Sequence, residues 1–153
     1  MSLLFNVEQD IAAPQDRVFK ALTDYEKWPE WMPNLVKIEP LNGPEMRAGF
    51  QWRETRKFFG RPAIETFEVR LFEPNSAFAV VCDGTKGTLR QGQFDIRYDL
   101  VPKGGITHLG VMAEVTGLTG WGGWMFWLFG GAFKRGLEGD VSAMRRHLQR
   151  VRF

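Results

Sequence analysis

The chain has 153 residues, 44% hydrophobic and 25% charged, with 20 basic and 18 acidic side chains and a formal net charge of +2. This composition excludes a disordered chain, and the near balance of charge excludes a protein drawn to nucleic acid by bulk electrostatics. The single cysteine, Cys82, excludes an internal disulfide framework and fits a cytoplasmic location.

The length suits one domain spanning residues 1–153. The opening "MSLLFNVEQD" has no basic region followed by an apolar run, so it does not read as a signal peptide. Within residues 3–11, Leu3, Phe5, Val7 and Ile11 alternate with Asn6, Glu8 and Asp10, which predicts a strand. "APQDRVFKAL" (13–22) predicts a short helix started by Pro14, with Val18, Phe19 and Leu22 on one side. Pro29 and Pro33, in "TDYEKWPEWMPNL", allow at most one further helical turn before a second strand, "LVKIEPL". Alternating runs at 49–58, 63–72, 77–84, 88–101 and 106–115 predict five more strands, separated by the turn signals "FGRP", "EPNS", "DGTKG" and "PKGG". The longest uncharged run, Val115 to Phe133, contains six glycines and is barely long enough to cross a bilayer. A long helical pattern follows Gly120.

The expected fold class is therefore α+β: a strongly bent, seven-stranded antiparallel sheet wrapped around a long C-terminal helix, with two short helices after the first strand. Antiparallel strands need one face covered, and only the C-terminal helix is long enough to cover it. A bent sheet gripping one helix leaves space between them, where a ligand would sit. The high aromatic content, 14%, fits a large core or a lined cavity.

The stretch "IAAPQDRVFKALTDYEKWPEWMP" (11–33) resembles the polyketide cyclase/dehydrase and lipid-transport family of the START-like, pollen-allergen-like superfamily (SRPBCC). The matching features are the strand ending at Ile11, the "AP" before a helix, "VF" within it and "TDYEKWPEW" after it; "FKRGLEGDVSAMRRHL" is similar to the family's C-terminal helix. The resemblance implies the helix-grip fold with a hydrophobic cavity between sheet and helix. In the aromatic cyclases the tryptophan of the "W-P" position lines the pocket, which implies that role for Trp28. The pocket arginine, tyrosine and asparagine of such cyclases have no counterpart that the sequence alone places.

Strand parity separates the two faces of the sheet. Arg53, Thr55 and Lys57, then Thr66, Glu68 and Arg70, then Asp95, Arg97 and Asp99 suit solvent. Phe50, Trp52, Glu54 and Arg56, then Glu65, Phe67, Val69 and Leu71, then Phe94, Ile96, Tyr98 and Leu100 suit the inner face. Trp28 and Trp31 flank Pro29 and either anchor the short helices or line the cavity mouth. With a turn at 58–61, Glu54 falls opposite Glu65, a pair that raises one carboxyl pKa or holds a cation such as Arg56 on the cavity wall, or else lies in water near the hairpin tip. Phe126, Phe129, Phe133, Leu137, Val141, Met144, Leu148 and Val151 form the helix stripe facing the sheet. Asp140, on the stripe's edge, either reaches the ligand space or is solvated or salt-bridged.

The expected ligand cavity thus comprises Trp28, Trp31, Phe50, Trp52, Phe67, Val69, Phe94, Tyr98, Phe126, Phe129, Phe133 and Leu137. Its occupant is a hydrophobic small molecule: a lipid, a quinone or a polyketide-like aromatic. The acid–base candidates, should the cavity house a cyclase or dehydratase, are Glu54, Glu65, Asp140 and Tyr98. Cys82, in a strand, reads as a buried, inert thiol. His108 and His147 have no ligands at metal spacing, and neither a phosphate-cradling loop nor a dinucleotide fingerprint is present, so no metal or cofactor is expected.

Trp124, Trp127 and Leu128 leave the first half of the C-terminal helix apolar on its far side too. That patch is covered by the "WPEWMPNL" loop, forms a homodimer contact, serves as a protein-interaction module, or docks transiently on a membrane surface. Six basic residues from Lys134 to Arg152, against Glu138 and Asp140, fit the membrane alternative. Glycines 130, 131, 136 and 139 are a candidate hinge for that half.

Overall fold

The computed structural model describes residues 2–58 and 60–150, and for residues 121–130 the backbone alone. Strands β1 (Leu3–Ile11), β2 (Leu35–Pro40), β3 (Gln51–Phe58), β4 (Arg61–Glu73), β5 (Ala77–Asp83), β6 (Gln93–Lys103) and β7 (Ile106–Thr116) form one antiparallel sheet. Its order is β1-β7-β6-β5-β4-β3-β2. Strands β1 and β2 are consecutive in sequence yet lie at opposite edges. Helix α1 (Gln15–Thr23) and a 3₁₀ segment (Tyr25–Glu30) carry the chain from one edge to the other. The second helix, α2, runs from Gly120 to Arg150.

Pro14 precedes α1 at φ −70°, and its missing N–H sits where a helix start has no partner to offer. Val18, Phe19 and Leu22 are buried on one side, as their spacing requires. Fully buried Thr107 of β7 donates 2.7 Å to the carbonyl of Ala13, fixing the entry to α1. In α2, buried Leu137, Val141, Met144 and Leu148 recur at steps of four, three and four, while Arg135, Glu138, Arg145 and Arg146 are exposed. The helix packs on β1 and α1. Val151, assigned to the same stripe, lies outside the described residues.

Three sequence expectations need correction. The single helical turn expected after α1 is a six-residue 3₁₀ segment with Pro29 inside it. The strand expected from residue 88 begins at Gln93, because Arg90 (φ +63°) and Gly92 (φ +85°) adopt left-handed backbone that breaks the pleat. Leu71 does not join the inner face: a bulge pairs Val69 with Val80 but Leu71 with Ala79. The extra residue reverses parity, so Phe72 enters the core, against Phe19 at 5.2 Å and Phe78 at 6.4 Å.

Candidate functional site

Between the inner face of the sheet and α2 lies a cavity of about 600 Å³. Exposed Phe58, Arg61, Pro62 and Leu89 border it, so it opens between the β3–β4 hairpin tip and the β5–β6 connection. Of the residues expected on its wall, the structure places there Trp28, Trp31, Trp52, Phe67, Phe94, Tyr98, Phe133 and Leu137. Phe50 and Val69 are not on the wall; each is 1% exposed in the packed core, where Phe50 stacks 5.2 Å from Tyr25. The side chains of Phe126, Phe129, Trp124, Trp127 and Leu128 lie outside the described residues, as does the apolar patch expected of them.

The aromatic wall is held from both ends. Trp52 and Phe67, cross-strand partners, stack 5.0 Å apart at 8°, and Trp28 meets Trp52 edge-on at 5.3 Å. Trp28 is both core and wall: it is 3% exposed and donates 3.2 Å to the carbonyl of Leu22. Among the described residues, the indole Nε1 of Trp31 is buried without a hydrogen-bond partner. Opposite, Phe133 of α2 contacts Phe5 at 5.1 Å and Phe94 at 5.6 Å.

One end of this apolar space is charged. Arg56 donates from Nε to Glu54 at 2.7 Å, and from Nη1 and Nη2 to the two oxygens of Asp140 at 3.0 Å each. Burial works against the guanidinium charge, but Glu54 and Asp140 outweigh it and hold the arginine pKa above its usual value. Asp140 thus borders the cavity and is also salt-bridged, and Arg56 lies between Glu54 and Asp140, whereas the sequence places it with the Glu54–Glu65 pair. Tyr98 also lines this space; burial, then the charge of Asp140, raises its phenol pKa, which keeps the hydroxyl protonated.

Glu65 pairs directly with Glu54 across β3 and β4. Burial raises its pKa, aided by repulsion from Glu54 and opposed by hydrogen bonds from the Cys82 thiol and the backbone of Leu89 and Thr88. The Cys82 thiol lies 3.7 Å from the Glu65 carboxyl. Gly87 makes room for this carboxyl: a methyl there would overlap Glu65 Oε2 and come within 2.6 Å of the Ile64 carbonyl. Cys82 is buried, and burial followed by Glu65 raises its pKa, so it is held as an unreactive thiol. His108 faces Asp10 and Glu8 through its two ring nitrogens, at 2.7 and 3.3 Å. Among the described residues, no cluster of His, Cys, Asp or Glu is arranged to hold a metal ion.

The wall includes residues that strand parity did not assign. Phe78, Val80 and Cys82 of β5 line the cavity. "AFAVVC" is apolar on both faces, so its alternation carries no sign of which residues point inward.

Residues 3–150 match the family model described as polyketide cyclase/dehydrase and lipid transport. The chain belongs to that family. A search of curated proteins finds no match. Among solved structures, several share the fold at low identity. The Zhui aromatase/cyclase from Streptomyces sp. R1128 superposes with a TM-score of 0.83 at 15% identity, over 98% of this chain and 95% of that one. Ara h 8.0201 gives 0.79 at 15% identity, over 99% and 100%. A START superfamily protein from Mycobacterium smegmatis gives 0.74 at 18% identity, over 95% and 98%. These likenesses extend over nearly the whole of each chain and are likenesses of fold. Among the described residues, no helix is long and apolar enough to cross a membrane.

Proposed function

We propose that this protein binds a hydrophobic small molecule, a lipid, quinone or polyketide-like aromatic, in the cavity under α2 and acts as its carrier. The observation that carries this reading is the cavity itself: about 600 Å³, walled by Trp28, Trp52, Phe67, Phe94 and Phe133, and open at one end. A space of that size and lining suits a drug-sized apolar ligand. Binding there requires displacement of water from the aromatic wall and nothing more, which is the simplest use of such a site. Native mass spectrometry of freshly purified protein tests it, with a co-purified lipid or quinone as the expected result. A clean apo mass together with no binding to a lipid and quinone panel removes the carrier reading.

A second reading, cyclisation or dehydration in the same cavity, is favoured by one observation. Arg56, Glu65 and Tyr98 converge on the apolar space, and the raised pKa of Glu65 suits proton transfer at an enolisable carbon. Turnover of a linear poly-β-ketone thioester, abolished by Glu65→Gln, would establish it.

A further inference from the structure

Among the described residues, the buried charged end of the cavity is where the polar group of an apolar ligand meets the densest set of charged side chains. Two carboxylates, Glu54 and Asp140, face a single cation, Arg56, so the cluster carries one net negative charge. Glu65 stands directly across from Glu54 and adds a further carboxyl. Three of the five guanidinium N–H groups are taken by the two acids. Arg56 is therefore not a free anion receptor, although an arginine in an apolar cavity looks like one. The carboxylate oxygens retain lone pairs that can accept further hydrogen bonds. Tyr98 lines the same cavity within reach of the charges of Asp140, Arg56 and Glu54, and its hydroxyl has no hydrogen-bond partner among the described residues. Burial keeps that hydroxyl protonated, so it both donates and accepts.

From this arrangement we infer that the cavity selects a neutral, hydroxyl-bearing hydrophobic ligand, an alcohol or a phenol, and rejects the carboxylate of the same shape. A hydroxyl donates to an oxygen of the Glu54–Asp140 pair and accepts from Tyr98, which gives both orphan capacities a partner. A carboxylate must shed its water beside a cluster that is already negative, and Coulomb repulsion in a low dielectric adds to that desolvation. A hydrocarbon meets neither penalty but leaves Tyr98 unengaged. The inference rests on the ligand-binding reading of the cavity.

Three fluorescent probes with one apolar body test it: 1-pyrenemethanol, 1-pyrenecarboxylate and 1-methylpyrene, titrated at about pH 7.5, where only the carboxylate carries charge. The alcohol is expected to bind about tenfold more tightly than the carboxylate, with methylpyrene between them. Asp140→Asn and Glu54→Gln each release Arg56 from one acid, and each is expected to raise carboxylate affinity about tenfold while leaving methylpyrene affinity nearly unchanged. Equal binding of alcohol and carboxylate to the native protein, or discrimination unaltered in both variants, overturns the selectivity. If methylpyrene binds while the alcohol has no advantage, only this inference fails. If none of the three binds, the ligand-binding reading fails as well, and the selectivity with it.

Discussion

Glu54 and Glu65 stand directly opposite each other on β3 and β4, and their two carboxyl groups are accommodated by different means. Glu54 is paired with Arg56 at 2.7 Å, whereas Glu65 is held by the Cys82 thiol and the backbone of Leu89 and Thr88, with its pKa raised by burial. Like charges directly across an antiparallel pair are destabilising, so each needs its own remedy. Arg56→Met removes the remedy for Glu54 and strands Asp140 as well. A loss of about 3 kcal/mol in chemical denaturation is expected, and Glu54→Gln with Asp140→Asn in the same background recovers most of it. Additive losses in that cycle would show that the three groups do not act as a unit.

Gly87 gives the second expectation. Because its missing side chain is the space that the Glu65 carboxyl occupies, Gly87→Ala forces the two apart. The expected loss is about 1–3 kcal/mol, read from the denaturation midpoint. In a Glu65→Ala background the penalty shrinks but persists in part, since the Ile64 carbonyl is also close. An undiminished penalty there would assign the whole effect to the backbone.

Gly136 separates stability from binding. It lines the cavity from α2, and a Cβ placed on it meets nothing within 4 Å. Gly136→Ala is expected to stabilise the protein by about 0.5–1 kcal/mol, the usual helix preference for alanine over glycine. Gly136→Leu keeps a folded protein while filling the cavity, and is expected to lower 1-pyrenemethanol affinity by about tenfold. Unchanged affinity in Gly136→Leu would place the probe elsewhere.

On the opposite face, His108 provides a pH dependence. Hydrogen bonds from its ring to Asp10 and then Glu8 raise its pKa, and the same contact, with Lys103, lowers that of Asp10. The raised imidazole pKa contributes stability that is fully present below the unfolded-state value and lost as pH rises through the folded one. The lowered carboxyl pKa contributes stability above its own unfolded value that is lost as pH falls through the folded one. The pair therefore stabilises most between the carboxylate and imidazole ranges. Asp10→Asn is expected to lower the His108 pKa towards the ordinary imidazole value in an NMR titration; an unmoved titration curve would remove Asp10 as the cause.

Much of this fold was legible because period-two patterning is strong in β1, β3 and β6, where charged and aromatic residues alternate. The register of β3 against β4, with Glu54 opposite Glu65, followed from a short turn and that parity. What patterning missed has identifiable causes. An inserted residue at the β4 bulge exchanged Leu71 for Phe72 on the inner face, and alternation carries no mark of an insertion. Strand β5 is apolar on both faces, so Phe78, Val80 and Cys82 could not be aimed. Phe50 and Val69 have the correct parity but lie where the core is packed. Depth along a strand is a tertiary property, whereas face is a local one. The bidentate meeting of Arg56 with Asp140 joins residues 84 positions apart, beyond the reach of any local pattern.

That meeting also sets a dimension. Helix α2 rests on β1 and α1, and the Arg56–Asp140 contacts tie it to β3 across the cavity. Here a guanidinium–carboxylate strut of fixed length holds the helix off the sheet. The depth of the cavity between α2 and β3 is thereby fixed by an ion pair rather than by apolar contact alone, and it depends on two residues, Arg56 and Asp140, that both line it.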